Sequence, residues 1–172
     1  VNLPASAYVG SNPSRPTETT FVESRSMIVT WGELPSLSGR VVMVDGSFDP
    51  LHDGHIAYFE AASSLGQPVL CNITTDGWTN RKHPVLLPQT QRARVIDAIR
   101  HISYVHCANS ATWEVLEHLR PIAYLKGADW RDRGGIPGAE AEICQKLQIA
   151  VHYLDTVLNS STKLIDRIRA SS

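Results

Sequence analysis

Two histidines lie three residues apart in a glycine-bounded segment, Gly46–His55, which directly follows an apolar run. The run Val41–Val44 is short and rich in β-branched residues, so it predicts a buried strand, and Ile56–Ala62 predicts the helix after it. Backbone N–H groups at the start of such a helix are unpaired and carry the positive end of the helix dipole, so they stabilise an anion. His52 and His55 would add hydrogen-bond donors. The segment therefore predicts a phosphate-binding site.

The same two histidines have two alternative interpretations. A three-residue step also puts two imidazoles on one helical face, where they could bind a metal ion. A metal site needs further ligands, however, and the three cysteines lie in separate segments with no paired spacing: Cys71, Cys107 and Cys144. A purely structural role is less favoured, because α/β folds place ligands at the carboxyl ends of their strands. We therefore expect a phosphate site and no protein-bound metal.

The rest of the chain alternates between predicted strands and helices. Further strands are predicted at 69–73, 104–107, 122–125 and 150–154, with a short strand or lead-in at 27–31, and helices at 90–102, 110–120, 139–147 and 161–169. Strands separated by helices of about ten residues predict right-handed crossovers. The expected fold class is α/β, a single Rossmann-like domain with a five-stranded, mostly parallel sheet. Ligands should bind in the loops after its first, fourth and fifth strands.

Length and composition narrow the range of functions. A chain of 172 residues with 42% hydrophobic composition suits one domain with a sizeable core, and a net charge of -1 argues against a general nucleic-acid binder. Residues 1–26 are rich in Ser, Thr, Pro and Asn and predict a loosely packed arm, which leaves 27–172 as the folded domain. The unpaired cysteines predict a reducing, cytoplasmic location, and the lack of a long apolar stretch predicts no membrane span. Small-molecule partners are expected.

Residues 46–55 resemble the G-x-F-D-x-x-H-x-G-H signature of the cytidylyltransferase-like nucleotidyltransferases, and all six fixed positions are met. This family includes glycerol-3-phosphate cytidylyltransferase and the adenylyltransferase domain of ADP-heptose synthase. The resemblance implies that both histidines, His52 and His55, are catalytic. It implies nucleotide contacts from the remaining polar, glycine and aromatic positions of the segment: Gly46, Ser47, Phe48, Asp49 and Gly54.

A second segment, 126–130, resembles the same family. It reads Lys-Gly-Ala-Asp-Trp, which is similar to the K-G-G-D-Y of ADP-heptose synthases and to the M-G-D-D-W of glycerol-phosphate cytidylyltransferases. Taken alone, it is equally well interpreted as a turn with a core tryptophan. The resemblance implies nucleotide contacts from Lys126, Gly127, Asp129 and Trp130.

A third segment, 159–163, reads Asn-Ser-Ser-Thr-Lys and resembles the family's S-T-T-K or S-S-T segment, which contacts nucleotide phosphates. Serine and threonine are also favoured at helix starts where no ligand binds. The resemblance implies nucleotide contacts from Ser160, Ser161 and Thr162. The chain departs from the family just upstream, because Leu158 replaces a glycine and Asp155 replaces the cytidylyltransferase arginine.

Further basic residues complete the expected phosphate contacts. Lys82 lies where the family has a phosphate-binding lysine, which implies a catalytic role, and Arg81 is the alternative. Arg92 and Arg100 match the spacing of two arginines in the cytidylyltransferases and imply nucleotide binding. A solvated helix face would explain these two arginines equally well.

The resemblance implies direct nucleotidyl transfer. A phosphate oxygen of a phosphorylated sugar or polyol would attack the α-phosphorus of ATP or CTP, pyrophosphate would leave, and Mg²⁺ would accompany the nucleotide. Lys126 favours the heptose 1-phosphate adenylyltransferase branch, and Trp130 favours a glycerol-3-phosphate cytidylyltransferase. A homodimer is expected, as is common in this branch.

Three other interpretations compete with this one. A degenerate, non-catalytic nucleotide-binding module stays open because of the departures at Leu158 and Asp155. Pantetheine-phosphate and nicotinamide-mononucleotide adenylyltransferases share the core motif, but the segment at 126–129 favours the heptose and glycerol branch. Class I aminoacyl-tRNA synthetases share a His-x-Gly-His element, yet they need regions that this length does not supply.

Overall fold

Six parallel strands form one sheet in the computed structural model, which describes residues 27–156 and residue 170. The strands are β1 Ile28–Val29, β2 Val42–Gly46, β3 Val69–Ile73, β4 Tyr104–Cys107, β5 Ala123–Gly127 and β6 Ala150–Leu154. Their order across the sheet is β1-β4-β3-β2-β5-β6. The α/β fold with a parallel sheet is therefore confirmed. The expected arm at 1–26 and the expected helix at 161–169 lie outside the described residues.

Helices cover both faces of the sheet. They are α1 Asp53–Ser63, α2 Asp76–Thr79, α3 Gln89–Asp97, α4 Thr112–Leu119, α5 Ala128–Asp132 and α6 Gly138–Leu147, with a 3₁₀ helix at Trp31–Leu37. Side chains alternate along each strand, so β2 sends Val44 into a core with Phe59 of α1, whereas Met43 packs into a second core with Leu116 of α4. Both faces are buried, which explains the continuous apolar run in β2. Within 27–156, no helix is long and apolar enough to cross a membrane.

The main differences between the structure and the sequence-based prediction are one added strand and the bounds of two helices. The lead-in at 27–31 contributes a sixth strand, because Ile28 and Val29 pair in parallel with β4. Helix α1 begins at Asp53, three residues earlier than predicted, and α3 ends at Asp97, five residues earlier. Ile99 and Ile102 continue the apolar spacing of α3 but lie in the turns that lead to β4, where they pack against the core.

The sheet reverses its direction of growth between β2 and β5. Strand β2 pairs with β3 on one side and with β5 on the other, so the loops that leave β2 and β5 diverge to opposite faces. A crevice opens at such a reversal, beyond the carboxyl ends of the two strands. The residues at those ends are Asp45 and Gly46 on β2 and Lys126 and Gly127 on β5.

One buried cation, Arg92 of α3, holds together the loops around this crevice. Its side chain has no exposed surface. The guanidinium donates through Nε to the carbonyl of Leu87 (2.9 Å), through Nη1 to the carbonyl of Ser47, and through Nη2 to the carbonyl of Thr74 (3.1 Å) and to Oδ1 of Asp76 (2.6 Å). Four of its five N–H donors are thus engaged within the protein. This corrects the expectation that Arg92 contacts nucleotide.

Arg100 also lies away from the crevice. Helix α3 ends at Asp97, and Arg100 lies beyond it in the turns that lead to the amino end of β4. There it is exposed and its Nε lies 3.3 Å from Nε2 of His101. Arg100 lines neither of the two cavities described below.

The role of Arg92 predicts a stability defect. Arg92→Met should lower the free energy of unfolding by about 3 kcal/mol, because it leaves buried carbonyl groups of three loop segments without a donor, at about 1–3 kcal/mol each. Arg94→Met, on the exposed side of the same helix, should change it by less than about 0.5 kcal/mol. Urea unfolding followed by circular dichroism measures both. Equal effects of the two substitutions would contradict the structural role of Arg92.

Candidate active site

A compressed turn leads from β2 into α1. Phe48 adopts a positive φ of 52° and folds its ring beneath Gly46, where an added Cβ would lie only 2.9 Å from the ring. Asp49 is completely buried and accepts hydrogen bonds from the backbone N–H groups of Leu86 (2.8 Å) and Leu87 (3.0 Å). Asp49 therefore ties this turn to the segment before α3. This corrects the expectation that Asp49 contacts nucleotide.

The two histidines of the turn stack against each other. Their ring centroids are 3.7 Å apart at an interplanar angle of 20°, and the ring of Phe48 meets His55 edge-on at 5.0 Å. His52 occupies the N-cap position of α1, and His55 lies within its first turn. Both ring nitrogens of His52, and Nδ1 of His55, are buried and have no hydrogen-bond partner among the described residues. Buried polar atoms are rarely left unpaired, so this arrangement indicates a place for a ligand.

Burial keeps these histidines neutral. It lowers the pKa of His52, and it lowers the pKa of His55 to about 3, with His52 beside it contributing to the effect. An anion bound against the rings would favour the protonated form and reverse this effect. His52 and His55 are thus suited to become protonated when an anion binds against them.

A buried ion pair closes the crevice at the ends of β2 and β5. Nζ of Lys126 lies 2.6 Å from Oδ1 of Asp45, and both side chains are more than nine-tenths buried. The hydroxyl of Tyr124 lies 2.8 Å from the same Asp45 oxygen, 2.8 Å from Oε2 of Glu140 and 3.0 Å from Nζ of Lys126. Thr112 at the start of α4 donates to the other Asp45 oxygen at 3.2 Å.

Two cavities flank this ion pair. The smaller has a volume of about 280 Å³ and lies against the histidines, and the larger has a volume of about 650 Å³ and extends toward α2 and α4. Six residues line both cavities: Asp45, Gly46, Ser47, Lys82, Lys126 and Trp130. The two cavities therefore share a common wall at the carboxyl ends of β2 and β5.

Lys82 and Trp130 both belong to this shared wall. Burial and the neighbouring Lys126 lower the pKa of Lys82, while Asp45 and Asp129 oppose the shift. The ring of Trp130 lies 4.3 Å from Nζ of Lys126, a cation–π contact that places the flat ring along the cleft.

The structure gathers most of the residues singled out from the sequence into the smaller cavity. They are Gly46, Ser47, Phe48, His52, Gly54, His55, Lys82, Lys126, Gly127, Asp129 and Trp130. Asp49, Arg92 and Arg100 do not line it. The three hydroxyl residues Ser160, Ser161 and Thr162 lie outside the described residues.

Sequence reasoning missed three members of the polar cluster: Asp45, Tyr124 and Glu140. Asp45 could have been found by the rule that selected Lys126, since a charged residue that ends an apolar strand lies at the ligand-binding edge. Tyr124 and Glu140 had no such signal, because one lies within an apolar strand and the other in a helix with several acidic residues. Trp113, which is 39% exposed, also lines the larger cavity.

No group of three or more His, Cys, Asp or Glu side chains in the described part of the chain is placed to hold a metal ion.

A parallel sheet with polar and charged side chains at its topological reversal defines a Rossmann-like α/β domain. Residues 43–169 match the family described as cytidylyltransferase-like, and the chain belongs to this family.

Two curated relatives carry the same name. The bifunctional protein HldE of Magnetococcus marinus is 35% identical over 127 residues, which is 67% of this chain and 26% of that protein. The bifunctional protein HldE of Citrifermentans bemidjiense is 30% identical over 137 residues, which is 77% of this chain and 28% of that protein. The chain thus spans about a quarter of the length of these relatives.

Solved structures share the fold at low sequence identity. A lipopolysaccharide core biosynthesis protein from Thermoplasma volcanium superposes with a TM-score of 0.57 at 19% identity, over 68% of this chain and 97% of that one. A bifunctional NMN adenylyltransferase/ADP ribose pyrophosphatase from Francisella tularensis superposes with a TM-score of 0.52 at 14% identity, over 78% of this chain and 42% of that one.

The neutral state of His55 predicts how stability depends on pH. With a folded pKa of about 3 against roughly 6.5 in the unfolded chain, only the unfolded state binds this proton as the pH falls below about 6.5. The stability that neutral His55 contributes is therefore present above about pH 6.5. It should be lost toward pH 3 at up to about 1.4 kcal/mol per pH unit.

His55→Gln cannot take up this proton, so its free energy of unfolding should fall less steeply than that of the wild type between about pH 6.5 and 4.5. Urea unfolding at several pH values measures the difference. His152→Gln, which changes an exposed histidine on β6, should follow the wild type. Parallel curves for His55→Gln and the wild type would contradict a neutral buried His55.

Proposed function

We propose that this domain is a nucleotidyltransferase that transfers a nucleoside monophosphate from ATP or CTP to a phosphorylated sugar or polyol and releases pyrophosphate. One observation carries the proposal. The stacked rings of His52 and His55 leave buried nitrogens unpaired at the start of α1, in a cleft that also contains Lys82. Neutral donors that can become cations, next to a lysine, are suited to phosphates whose charge moves during reaction.

The reaction requires positioning and charge stabilisation. An oxygen of the acceptor phosphate attacks the α-phosphorus in line, the bond from that phosphorus to the β-phosphate oxygen breaks, and pyrophosphate leaves. His52 and His55 would donate to the α-phosphate and to the leaving group, and Lys82 to the phosphates. Their fixed positions on a helix terminus and in the cleft wall mean that little reorganisation is needed as charge develops.

The larger cavity is the proposed acceptor site. It adjoins the nucleotide cleft through the shared wall, so an acceptor there could reach the α-phosphate. Trp78 and Trp113 in its lining are 46% and 39% exposed and offer flat apolar faces for a sugar ring. Arg81, whose guanidinium lies 5.0 Å from the Trp78 ring, and Lys82 supply cations for the acceptor's phosphate.

ATP is the proposed donor and a heptose 1-phosphate-like sugar phosphate the proposed acceptor. The support is the resemblance of Lys126, Gly127 and Asp129 to the ADP-heptose synthase pattern. CTP and glycerol 3-phosphate are the alternative, favoured by Trp130.

Mg²⁺ is proposed to enter with the triphosphate. The cleft's chemistry fits this mode, because Mg²⁺ commonly uses one or two carboxylates together with substrate phosphates. Asp129 lines the cleft with a side chain that is 35% exposed, and one of its oxygens pairs with Arg133 at 2.9 Å, so its other oxygen would be the protein ligand. Asp45 is buried in its ion pair with Lys126. The ion would neutralise phosphate charge.

His55→Ala should abolish pyrophosphate release while leaving the fold intact. Loss of one donor to the developing charge typically costs about 10²–10³ in turnover, or roughly 3–4 kcal/mol, and the change also removes the stacking partner of His52. A coupled pyrophosphate assay measures turnover, and circular dichroism checks the fold. His152→Ala is the matched control and should keep wild-type turnover. Near-normal turnover in His55→Ala would overturn the assignment.

A substrate panel tests the function directly. Purified protein with Mg²⁺ should release pyrophosphate from ATP in the presence of heptose 1-phosphate, and less or none from CTP with glycerol 3-phosphate. The reverse preference would assign the domain to the cytidylyltransferase branch.

The panel also separates an enzyme from a binding module. Nucleotide binding by calorimetry, without pyrophosphate release for any acceptor, would favour the module. One observation gives this second candidate support: Asp155, which replaces the cytidylyltransferase arginine, pairs with Arg131 at 2.9 Å on the surface.

A further inference from the structure

Asp45, Tyr124, Lys126 and Glu140 form a polar cluster next to the shared wall. In this cluster one hydroxyl group lies within hydrogen-bond distance of two carboxyl groups. Tyr124 has one hydroxyl hydrogen, yet its oxygen lies 2.8 Å from a carboxylate oxygen of Asp45 and 2.8 Å from one of Glu140. Nζ of Lys126 already donates to both Asp45 (2.6 Å) and Tyr124 (3.0 Å). The hydroxyl can therefore satisfy only one of its two carboxyl neighbours.

A second proton resolves the conflict. If Glu140 is a carboxylic acid, it donates to the Tyr124 oxygen, Tyr124 donates to Asp45, and Lys126 donates to both. Every short contact then has one hydrogen. If both carboxyls were ionised, two buried acceptors would face each other across one hydroxyl beside a single ammonium group.

We propose that Glu140 holds a proton at neutral pH and positions Lys126 through Tyr124, so that the cluster of Asp45, Tyr124, Lys126 and Glu140 adds no net negative charge opposite a phosphorylated acceptor. Glu140 is a positioning residue in this scheme. Its effect on the acceptor rests on the proposed function, whereas its protonation does not.

The groups that face Glu140 favour the protonated form. The negative charge of Asp45 on β2 disfavours ionisation of Glu140, and Lys126 of β5, the cation of the cluster, is already paired with Asp45. Two further titratable groups face Glu140, and both are neutral at this pH. Burial raises the pKa of Tyr124 on β5 well above its usual range, and it raises the pKa of Cys144, which lies on α6 with Glu140, to about 11. Burial, reinforced by Asp45, raises the pKa of Glu140, while Lys126 and the hydrogen bond from Tyr124 oppose this shift.

The arrangement has a consequence for acceptor binding. Glu140 is 9% exposed and lies in the lining of the larger cavity. When it ionises at alkaline pH, a negative charge faces the acceptor's phosphate. At about 10 Å and an effective dielectric constant of about 20, this repulsion should raise the acceptor KM about tenfold.

Infrared spectroscopy tests the proton directly. The wild type at neutral pH should show the carbonyl stretch of a buried carboxylic acid, which should disappear at alkaline pH. The band should be absent from Glu140→Gln and present in Glu142→Gln, which changes an exposed glutamate two residues along the same helix. Labelling glutamate with ¹³C should shift the band in the wild type, which assigns it to a glutamate even where Glu140→Gln fails to fold. A missing band, or one that persists in Glu140→Gln, would overturn the proposal.

Steady-state kinetics test the consequence. The acceptor KM of the wild type and of Glu142→Gln should rise about tenfold with alkaline pH, and that of Glu140→Gln should lack this rise. Lys82, whose pKa is lowered by burial and by Lys126, adds a loss of positive charge common to all three proteins. The difference between the profiles therefore isolates Glu140, and identical profiles would overturn its role at the acceptor site. If no acceptor is turned over, the proposed function fails while the infrared result still decides the protonation of Glu140.

Discussion

The ion pair between Asp45 and Lys126 is the constraint on which the site depends. Removing two charges from water costs several kcal/mol for each ion, and the cost is offset only where the geometry is good and the remaining hydrogen-bonding groups are satisfied. Parallel pairing of β2 with β5 supplies that geometry, because it brings the ends of both strands to the point where the sheet reverses. The pair divides the crevice into two cavities, and the chemistry of each cavity depends on its being in place.

The histidine side of the crevice gives up local stability for function. Hydrogen-bonding groups are almost always satisfied in protein interiors, yet three ring nitrogens of His52 and His55 are buried and unpaired. The rings stay neutral, and a bound phosphate would supply what they lack. Departures from the usual packing rules are expected at functional sites, and in the described residues this one coincides with the helix terminus best suited to an anion.

Some residues of the signature segment 46–55 line the cavity, and others hold the loops around it in place. The sequence-based prediction gave all of them the first role. Gly46, His52 and His55 line the cavity, but Asp49 turns inward and binds two backbone N–H groups. Arg92 also turns inward, and its guanidinium donates to three backbone carbonyl groups. Charged residues near a phosphate site suggest ligand contacts from sequence alone. Here they hold the loops that carry those contacts, because a tight turn leaves backbone groups that only a buried side chain can satisfy.

The sequence by itself determined the order of strands and helices, the parallel sheet and the segments that meet at its carboxyl edge, because these follow from local periodicity and from where parallel strands must end. It also indicated the histidines and the lysine of β5. Only the tertiary structure decided which charges face a ligand and which face one another. The partners of Lys126, Arg92 and Glu140 lie far away in the chain, and the direction of a buried side chain is settled by packing and by the balance between desolvation and pairing, neither of which is encoded in spacing.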